Sequence, residues 1–323
     1  MSNHITNVAI VGAGGNSGSR MTQELLKTGK HTVTAITRHE SDSSKNFPKD
    51  VIVRKVDYTK PQTIVEALRG QEALIITLSG RSDIHAIEAM LVRAAADAGV
   101  PWILPNEWSP DSAHEGILKD VSIFSAKVKT RQLIEELGKS SYVSVSTGFW
   151  YEWMLPNAAA FGFDFAKHEV VFFDDGNTPV SFSTWPQVGR AVAGILSLPI
   201  KAEGTDKSAC LEAIRNKVVY VNSFTVSQKD MLESAQRVTY TTSEDWTVSK
   251  EASQQRYDDG VAQFKKGEFM GMMKMMSTRI FFLDECGDFE HKKGTINAML
   301  GLQKEDLDEY TAIAIERAKN PAW

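Results

Sequence analysis

The sequence predicts an α/β protein: a Rossmann-type, doubly wound parallel sheet with a smaller, helix-rich C-terminal lobe. Three observations lead there. From residue 7 to about 150, short β-branched runs alternate with amphipathic helical stretches, and strand, helix, strand in repetition gives parallel strands covered on both faces. The first strand opens into "VGAGGNSGSR" (11 to 20), a glycine-rich turn leading into a helix. After about residue 150 the alternation stops and helical patterns dominate.

The elements follow in order. "VAIVGA" (8 to 13), "TVTAIT" (32 to 37), "VIVRKVD" (51 to 57), "ALIITL" (73 to 78), "PWILPNE" (101 to 107) and "YVSVST" (142 to 147) are the strands. In "SDIHAIEAMLVRAAADAG" (82 to 99), Ile84, Ile87, Leu91, Ala94, Ala95 and Ala98 recur at helical spacing, with Ser82 as N-cap and Gly99 as stop. "EVVFFDDGNTPVSFST" (169 to 184) reads as two strands joined by an Asp-Gly-Asn turn, with Asp174 and Asp175 in the turn, and "KVVYVNSF" (217 to 224) as one more strand. Residues 226 to 320 are mostly helical. At 323 residues the chain can hold one large α/β domain or a core domain plus a smaller lobe, since cores rarely grow past about 250–300 residues. We expect an NAD(P)-binding domain over 1–152 and a substrate-binding lobe over 153–323, partly interleaved with the core sheet.

Hydrophobic residues at 42 % and charged residues at 24 % are those of an ordinary globular chain. A formal net charge of -5 argues against nucleic-acid partners, because duplex binding needs a lysine and arginine field that displaces counterions. Cys210 and Cys286 are the only cysteines and form no CxxC pair, so neither a disulfide framework nor a thiolate metal site is expected, and a reducing cytoplasmic setting fits. The seven histidines are scattered singly, His85 within an amphipathic helix, and no metal is expected. No secretory signal is read at the N-terminus, and no apolar run reaches the ~18 residues of a membrane span. A monomer and a homodimer are both compatible with the sequence.

The glycine loop is the first candidate site. A strand ending at Gly12 and a helix starting near Ser17 place backbone N–H groups and the positive end of a helix dipole at one spot, which suits a pyrophosphate. Gly12 would allow the tight turn, Gly15 the approach of the pyrophosphate, and Gly18 close packing of the helix. The spacing is GxxGxxG, with Ser17 where the third glycine of GxGxxG would stand. Gly14, Asn16 and Ser17 complete the expected cradle.

The end of the second strand selects the dinucleotide. An acidic residue there would accept bonds from ribose hydroxyls, whereas an arginine pairs with a 2′-phosphate. The strand ends in Thr37 and Arg38, with Lys45 soon after, which favours NADPH as cofactor; a solvated surface arginine is the alternative. Asp57 either accepts from the adenine amine or forms a turn.

Ligands of open parallel sheets lie beyond the carboxyl ends of the strands. The loops there read "SGRSD" (79 to 83), "PNEWSPD" (105 to 111) and "GFWYEW" (148 to 153). Leu78, Ser79, Gly80, Asn106, Gly148 and Phe149 are candidate cofactor contacts. Glu107, Trp108, Trp150, Tyr151 and Trp153, with Phe163 from an alternating Phe161, Phe163, Phe165 run, are candidate walls for a small apolar or aromatic substrate. Glu107 serves either as an acid or as a backbone anchor. The run "FMGMMKMM" (269 to 276) is either core or a pliable substrate wall.

A tyrosine acid supported by lysine needs Y-x-x-x-K on one helix face, and the chain contains no such match. In "SIFSAKVKTRQLIEELG" (122 to 138), Lys127 follows Ile123 by four, so the lysine is present without the tyrosine.

Taken together, GxxGxxG at 12 to 18, "ITRHES", "AGVPWILPNEWSPD", "FSAKVKTRQLIEE" and "FDDGNTPVSFSTWPQVGRAVAGIL" resemble the NmrA-like, isoflavone reductase-like branch of atypical short-chain dehydrogenases, across nearly the whole chain. Isoflavone and phenylcoumaran benzylic ether reductases of that branch carry a "PSEFG" loop and an F-x-x-K helix. Phe124 and Lys127 match F-x-x-K, while "PNEWS" stands where "PSEFG" would. The resemblance implies an NADPH-dependent reductase of a small carbonyl, enone, imine or benzylic ether compound. It also implies that Lys127 bonds the nicotinamide ribose and acts as proton donor or relay; an exposed helix lysine like Lys129 is the alternative. NmrA itself is a nucleotide-responsive regulator that binds a protein partner, which gives a second, non-catalytic expectation.

Overall fold

The computed structural model describes residues 2–41, 47–78, 83–203 and 207–319. Lys45, Ser79 and Gly80, together with the expected N-cap Ser82, lie outside the described residues. In β1 (Asn7–Val11), Val8 and Ile10 pack into one core while Ala9 and Val11 pack into another. This is the two-residue period of a strand buried on both faces.

The chain continues through α1 (Asn16–Lys27), β2 (Thr32–Arg38), β3 (Ile52–Val56), α2 (Pro61–Leu68), β4 (Ala73–Ile76), α3 (Ile84–Ala98) and β5 (Trp102–Leu104). It then forms α4 (Glu115–Asp120), α5 (Ser125–Leu137) and β6 (Ser141–Ser146). The six expected strands are all present. They join a seven-stranded sheet in the order β10-β6-β5-β4-β1-β2-β3, where β10 is Lys217–Tyr220. Every pairing is parallel, with Val8 opposite Val33 on one side and Ala73 on the other. The strand order reverses at β1 and β4, which opens a crevice at their carboxyl ends.

Ile64 and Leu68 of α2, Leu91 and Ala95 of α3 and Ile134 of α5 cover one face. Met21 and Leu25 of α1 cover the other, beside Val188, Val192 and Leu196. Helix α3 is capped by Asp83, whose side chain accepts from Ala86 N, one residue later than expected.

Beyond β6 come α6 (Tyr151–Met154), α7 (Ala158–Phe161), β7 (Phe163–Asp164), β8 (Glu169–Phe173), β9 (Val180–Phe182) and α8 (Trp185–Ser197). After β10 come β11 (Phe224–Val226), α9 (Gln228–Thr239), β12 (Thr247–Glu251), α10 (Ser253–Lys265), α11 (Phe269–Arg279), α12 (Phe289–Lys293) and α13 (Leu307–Ala318). Helix α8 packs beside α1 and strand β10 pairs with β6, so the chain leaves the seven-stranded sheet and later returns to it.

Two expectations need correction. The stretch 169–184 is no hairpin: β8 has β7 on one edge and β12 on the other, so no edge is left for β9, which pairs antiparallel with β11. Asp174 and Asp175 do turn the chain, with Asp174 in the left-handed region at φ 55 and its Oδ1 accepting from Ser253 N. The run 217–224 divides into β10 in the main sheet and the start of β11 in a separate pair. Among the described residues, no helix is long and apolar enough to cross a membrane.

Gly18 lies inside α1, where Gly to Ala ordinarily stabilises a helix by about 1 kcal/mol. Here an added Cβ would sit 2.1 Å from the Gly12 carbonyl oxygen, so Gly18→Ala should instead destabilise by about 1–3 kcal/mol. Urea denaturation checks this; a variant that unfolds at higher urea than the parent would contradict it.

Candidate active site

At the crevice, the glycine loop presents a surface nearly free of side chains. Gly12 adopts φ 83, and a Cβ there would lie 2.0 Å from the Thr77 carbonyl oxygen, so only glycine makes this turn. Gly15 caps α1 in extended conformation with no side-chain cap, and the first turn of the helix holds no acidic residue. The first-turn N–H groups of a helix lack intrahelical acceptors. Those of Asn16, Ser17 and Gly18 therefore sit at the positive end of α1, with Gly14, Gly15 and Asn16 exposed.

One strand over, Arg38 ends β2 in an exposed position. It lines a cleft of about 460 Å³ with His39, Glu40, Ser41, Val56, Asp57, Tyr58 and Thr59. The Asp57 carboxylate accepts from both N and Oγ1 of Thr59, and these bonds hold its pKa below the ordinary carboxylate value. Asp57 is thus a turn residue that also lines the cleft. The buried Thr37 hydroxyl, next to Arg38, has no hydrogen-bond partner.

The centre of the site is the loop after β5. Asn106 is tied in four directions. Its Oδ1 accepts from Leu78 N at 3.1 Å and its Nδ2 donates to Leu78 O at 3.4 Å, fixing the chain that leaves β4. Its backbone N–H donates to Glu88 Oε1 of α3 at 2.7 Å, and its carbonyl accepts from Lys127 Nζ of α5 at 2.6 Å. Lys127 is half-buried, with Nζ 6.0 Å from the centre of the Phe124 ring. Burial lowers its pKa from the ordinary lysine value, while the charges of Glu107 and Glu88 act to raise it. Lys129, two residues on, is exposed. The two lysines therefore lie on different faces of α5, as a helical turn requires.

Glu107 is buried, and its Oε1 accepts from Arg131 Nη1 at 2.8 Å and from the Ser112 hydroxyl. Arg131 also donates to Ser112 Oγ and O. Glu107 and Arg131 thus lock the loop after β5 onto α5, through the side chains of Arg131 and Ser112 and not through the backbone. Trp108 is buried in the sheet core and donates its indole N–H to Ile76 O at 2.8 Å.

The remaining candidates spread over the lobe. Gly148 packs against Ser181, where a Cβ would lie 2.1 Å from the carbonyl oxygen, and the half-buried Phe149 follows it. Tyr151 and Phe163 have no exposed surface; the Tyr151 hydroxyl meets Thr311 Oγ1 at 2.8 Å and Phe163 stacks on Phe165. Trp150 and Trp153 both pack on Trp185, and the Arg317 guanidinium lies over Trp153 and Trp185. In α11, Met275 is buried with Phe124, Ile117 and Val121, flanked by Met272 and Met276. Met272, Met275 and Met276 therefore pack on the segment just before Lys127, while Met273 packs with the other lobe core and Met270 is exposed.

Three contributors were missed by sequence reasoning: Glu88, Thr130 and Arg131. Their signal was present. Glu88 shares the buried side of α3 with Leu91, Val92 and Ala95, and Thr130 and Arg131 share that of α5 with Ile134. An ionisable residue on an apolar stripe requires a buried partner.

Comparison with known proteins agrees with this architecture. The oxidoreductase poxI of Penicillium oxalicum is 26% identical over 316 residues, covering 94% of this chain and 92% of its own length. The structure of AtPrR2 with NADP+ and (+)pinoresinol superposes with TM-score 0.76 at 20% identity, covering 96% of this chain and 99% of that one. The leucoanthocyanidin reductase–NADPH complex of Vitis vinifera gives TM-score 0.73 at 17% identity, covering 96% and 99%. At such identities the structural likeness is one of fold. A sequence model of the NmrA-like family matches residues 5–222, a span holding the glycine loop, Arg38, Asn106 and Lys127, and the chain belongs to the NmrA-like family.

Proposed function

We propose that the protein is an NADPH-dependent reductase of small apolar or aromatic carbonyl, enone, imine or benzylic ether compounds, with Lys127 as proton donor or relay. The observation that carries this reading is the Lys127 ammonium, drawn inward onto the Asn106 carbonyl at 2.6 Å beyond the carboxyl ends of the sheet. It is supported by relatives named as oxidoreductases and by a like fold in reductases solved with NADP+ or NADPH.

The residues present fit the dinucleotide. The bare cradle of Gly12, Gly15 and Gly18, open at the N-terminus of α1, suits a pyrophosphate. The Arg38 cleft has room for a phosphorylated ribose, with Asp57 on its wall. Leu78 and Asn106 border the crevice, with Gly148 and Phe149 placed in the loop after β6. NADPH bound there would supply a hydride. The chain's own part is to orient the substrate and to supply a proton where negative charge develops. An ammonium held by one carbonyl and half-shielded from water does this better than a solvated lysine, because its charge is less screened and its pKa is lowered toward working pH. The methionines beside Phe124 offer an adaptable apolar wall next to it. Trp150 and Trp153 would border the pocket, whereas Tyr151, Phe163 and Trp108 act through the packing that holds its loops.

Absorbance of NADPH against a panel of aromatic ketones and enones tests this reading. Lys127→Ala should lower turnover about 10²–10⁴-fold; full turnover in that variant would remove the relay. Tight NADPH binding with no oxidation across the panel would instead favour a nucleotide-responsive regulator.

The required form is the ammonium, so the rate should fall as pH rises through the Lys127 pKa. Because burial lowers that pKa, the fall should come at lower pH than the ~10.4 of an ordinary lysine. A pH–rate profile flat to pH 10 would contradict the assignment. Arg38→Ala should weaken NADPH about 10–100-fold, the range for lost charge-assisted hydrogen bonds, and leave NADH little changed. Equal losses for both nucleotides in calorimetry would remove the phosphate role.

A further inference from the structure

Glu88 gives α3 a part in the site. It is 3% exposed, and its two carboxylate oxygens reach two different elements. Oε1 accepts the backbone N–H of Asn106 at 2.7 Å, and Oε2 accepts the hydroxyl of Thr130 at 3.2 Å. Asn106 supplies the carbonyl on which Lys127 rests, and Thr130 lies three residues beyond Lys127 on α5. One carboxylate therefore holds both the seat of the ammonium and the helix that delivers it. Through the side chain of Asn106 the same residue is linked to Leu78, where the chain leaves β4.

Resting on the reading of Lys127 as proton donor, we infer that Glu88 is a positioning residue for it. Its hydrogen bonds keep Asn106 and Thr130 in place, and its negative charge keeps the ammonium protonated. The charged groups facing Lys127 are Glu88 from α3, Glu107 from the loop after β5 and Arg131 from α5 itself. Glu107 is already met by Arg131 at 2.8 Å. Glu88 receives the uncharged donors Asn106 N–H and Thr130 O–H. Burial and, to a smaller extent, the Glu107 charge raise the Glu88 pKa, and those two bonds together with the Lys127 charge oppose that rise. The carboxylate and the ammonium thus support each other's charged state across the Asn106 backbone, without direct contact being needed.

Glu88→Gln separates the two roles: an amide of the same shape retains an oxygen for Asn106 N–H, but the charge is gone. The measurement is the pH dependence of acetylation of Lys127 by acetic anhydride in the whole protein, read by peptide mass spectrometry. Glu88→Gln should lower the titration midpoint of Lys127 by about one pH unit. Thr130→Val removes a bond that favours the ionised carboxyl, so it should move the midpoint the same way and less. An unchanged midpoint in Glu88→Gln overturns the inference, and if that variant does not fold, an unchanged midpoint in Thr130→Val does so. This readout needs no turnover. A shifted midpoint in a protein whose turnover ignores Lys127→Ala keeps the positioning role and removes the relay. An unmoved midpoint where Lys127→Ala abolishes turnover keeps the relay and removes the positioning role.

Discussion

An ammonium drawn out of water has to be met by acceptors and opposite charge, or it loses its proton or leaves the interior. Much of the candidate site answers that one constraint around Lys127. The Asn106 carbonyl accepts its hydrogen bond, Glu88 and Glu107 supply negative charge, and Arg131 balances the second carboxylate. Two carboxyl groups, an amine and a guanidinium gather within one region, drawn from α3, α5 and the loop after β5. Removing one partner from such a set leaves the others uncompensated, and buried polar networks are most costly when partly satisfied.

The sheet makes that arrangement possible. Parallel strands end together, so the carboxyl ends of β1, β4, β5 and β6 lie along one edge, and the reversal of strand order between β1 and β4 provides the crevice. The glycine loop and Arg38 occupy one side of it. Asn106 sits on the other side and joins the end of β4 to α5. The second half of the chain reinforces the sheet: α8 covers the face beside α1, β10 extends the strand order, and α11 lays Met272, Met275 and Met276 against Phe124.

What was legible in the sequence had a local cause. The glycines announce a backbone that side chains would obstruct: Gly18 meets the Gly12 carbonyl six residues back, and Gly12 itself turns at φ 83, although the carbonyl that a Cβ there would strike is the distant Thr77. The central strands β1, β4 and β5 carry apolar runs because both faces are covered, whereas β3 at the sheet edge is interrupted by Arg54 and Lys55. Arg38 and Asp57 could be brought to one place because parallel register sets their strand ends side by side. What stayed hidden depends on distant partners. The Asp-Gly-Asn turn gave no hint that β12, more than seventy residues on, already occupies an edge of β8. Tyr151 and Phe163 looked like pocket walls because an aromatic residue reads alike in a cavity or a core; their burial is set by Thr311 and Trp246. Glu88 was passed over as one charge in an amphipathic helix, although its place on the apolar stripe marked it.

In the proposed function a nicotinamide dinucleotide lies along the edge of the sheet with its reactive end beside Lys127. A crystal structure of the protein grown with NADP+ tests this most directly. The pyrophosphate is expected against the backbone of residues 12 to 18, the phosphorylated ribose at Arg38, and the nicotinamide ribose within hydrogen-bond reach of Lys127 Nζ. A dinucleotide bound elsewhere, or seated in the crevice with its nicotinamide remote from Lys127, would contradict that placement.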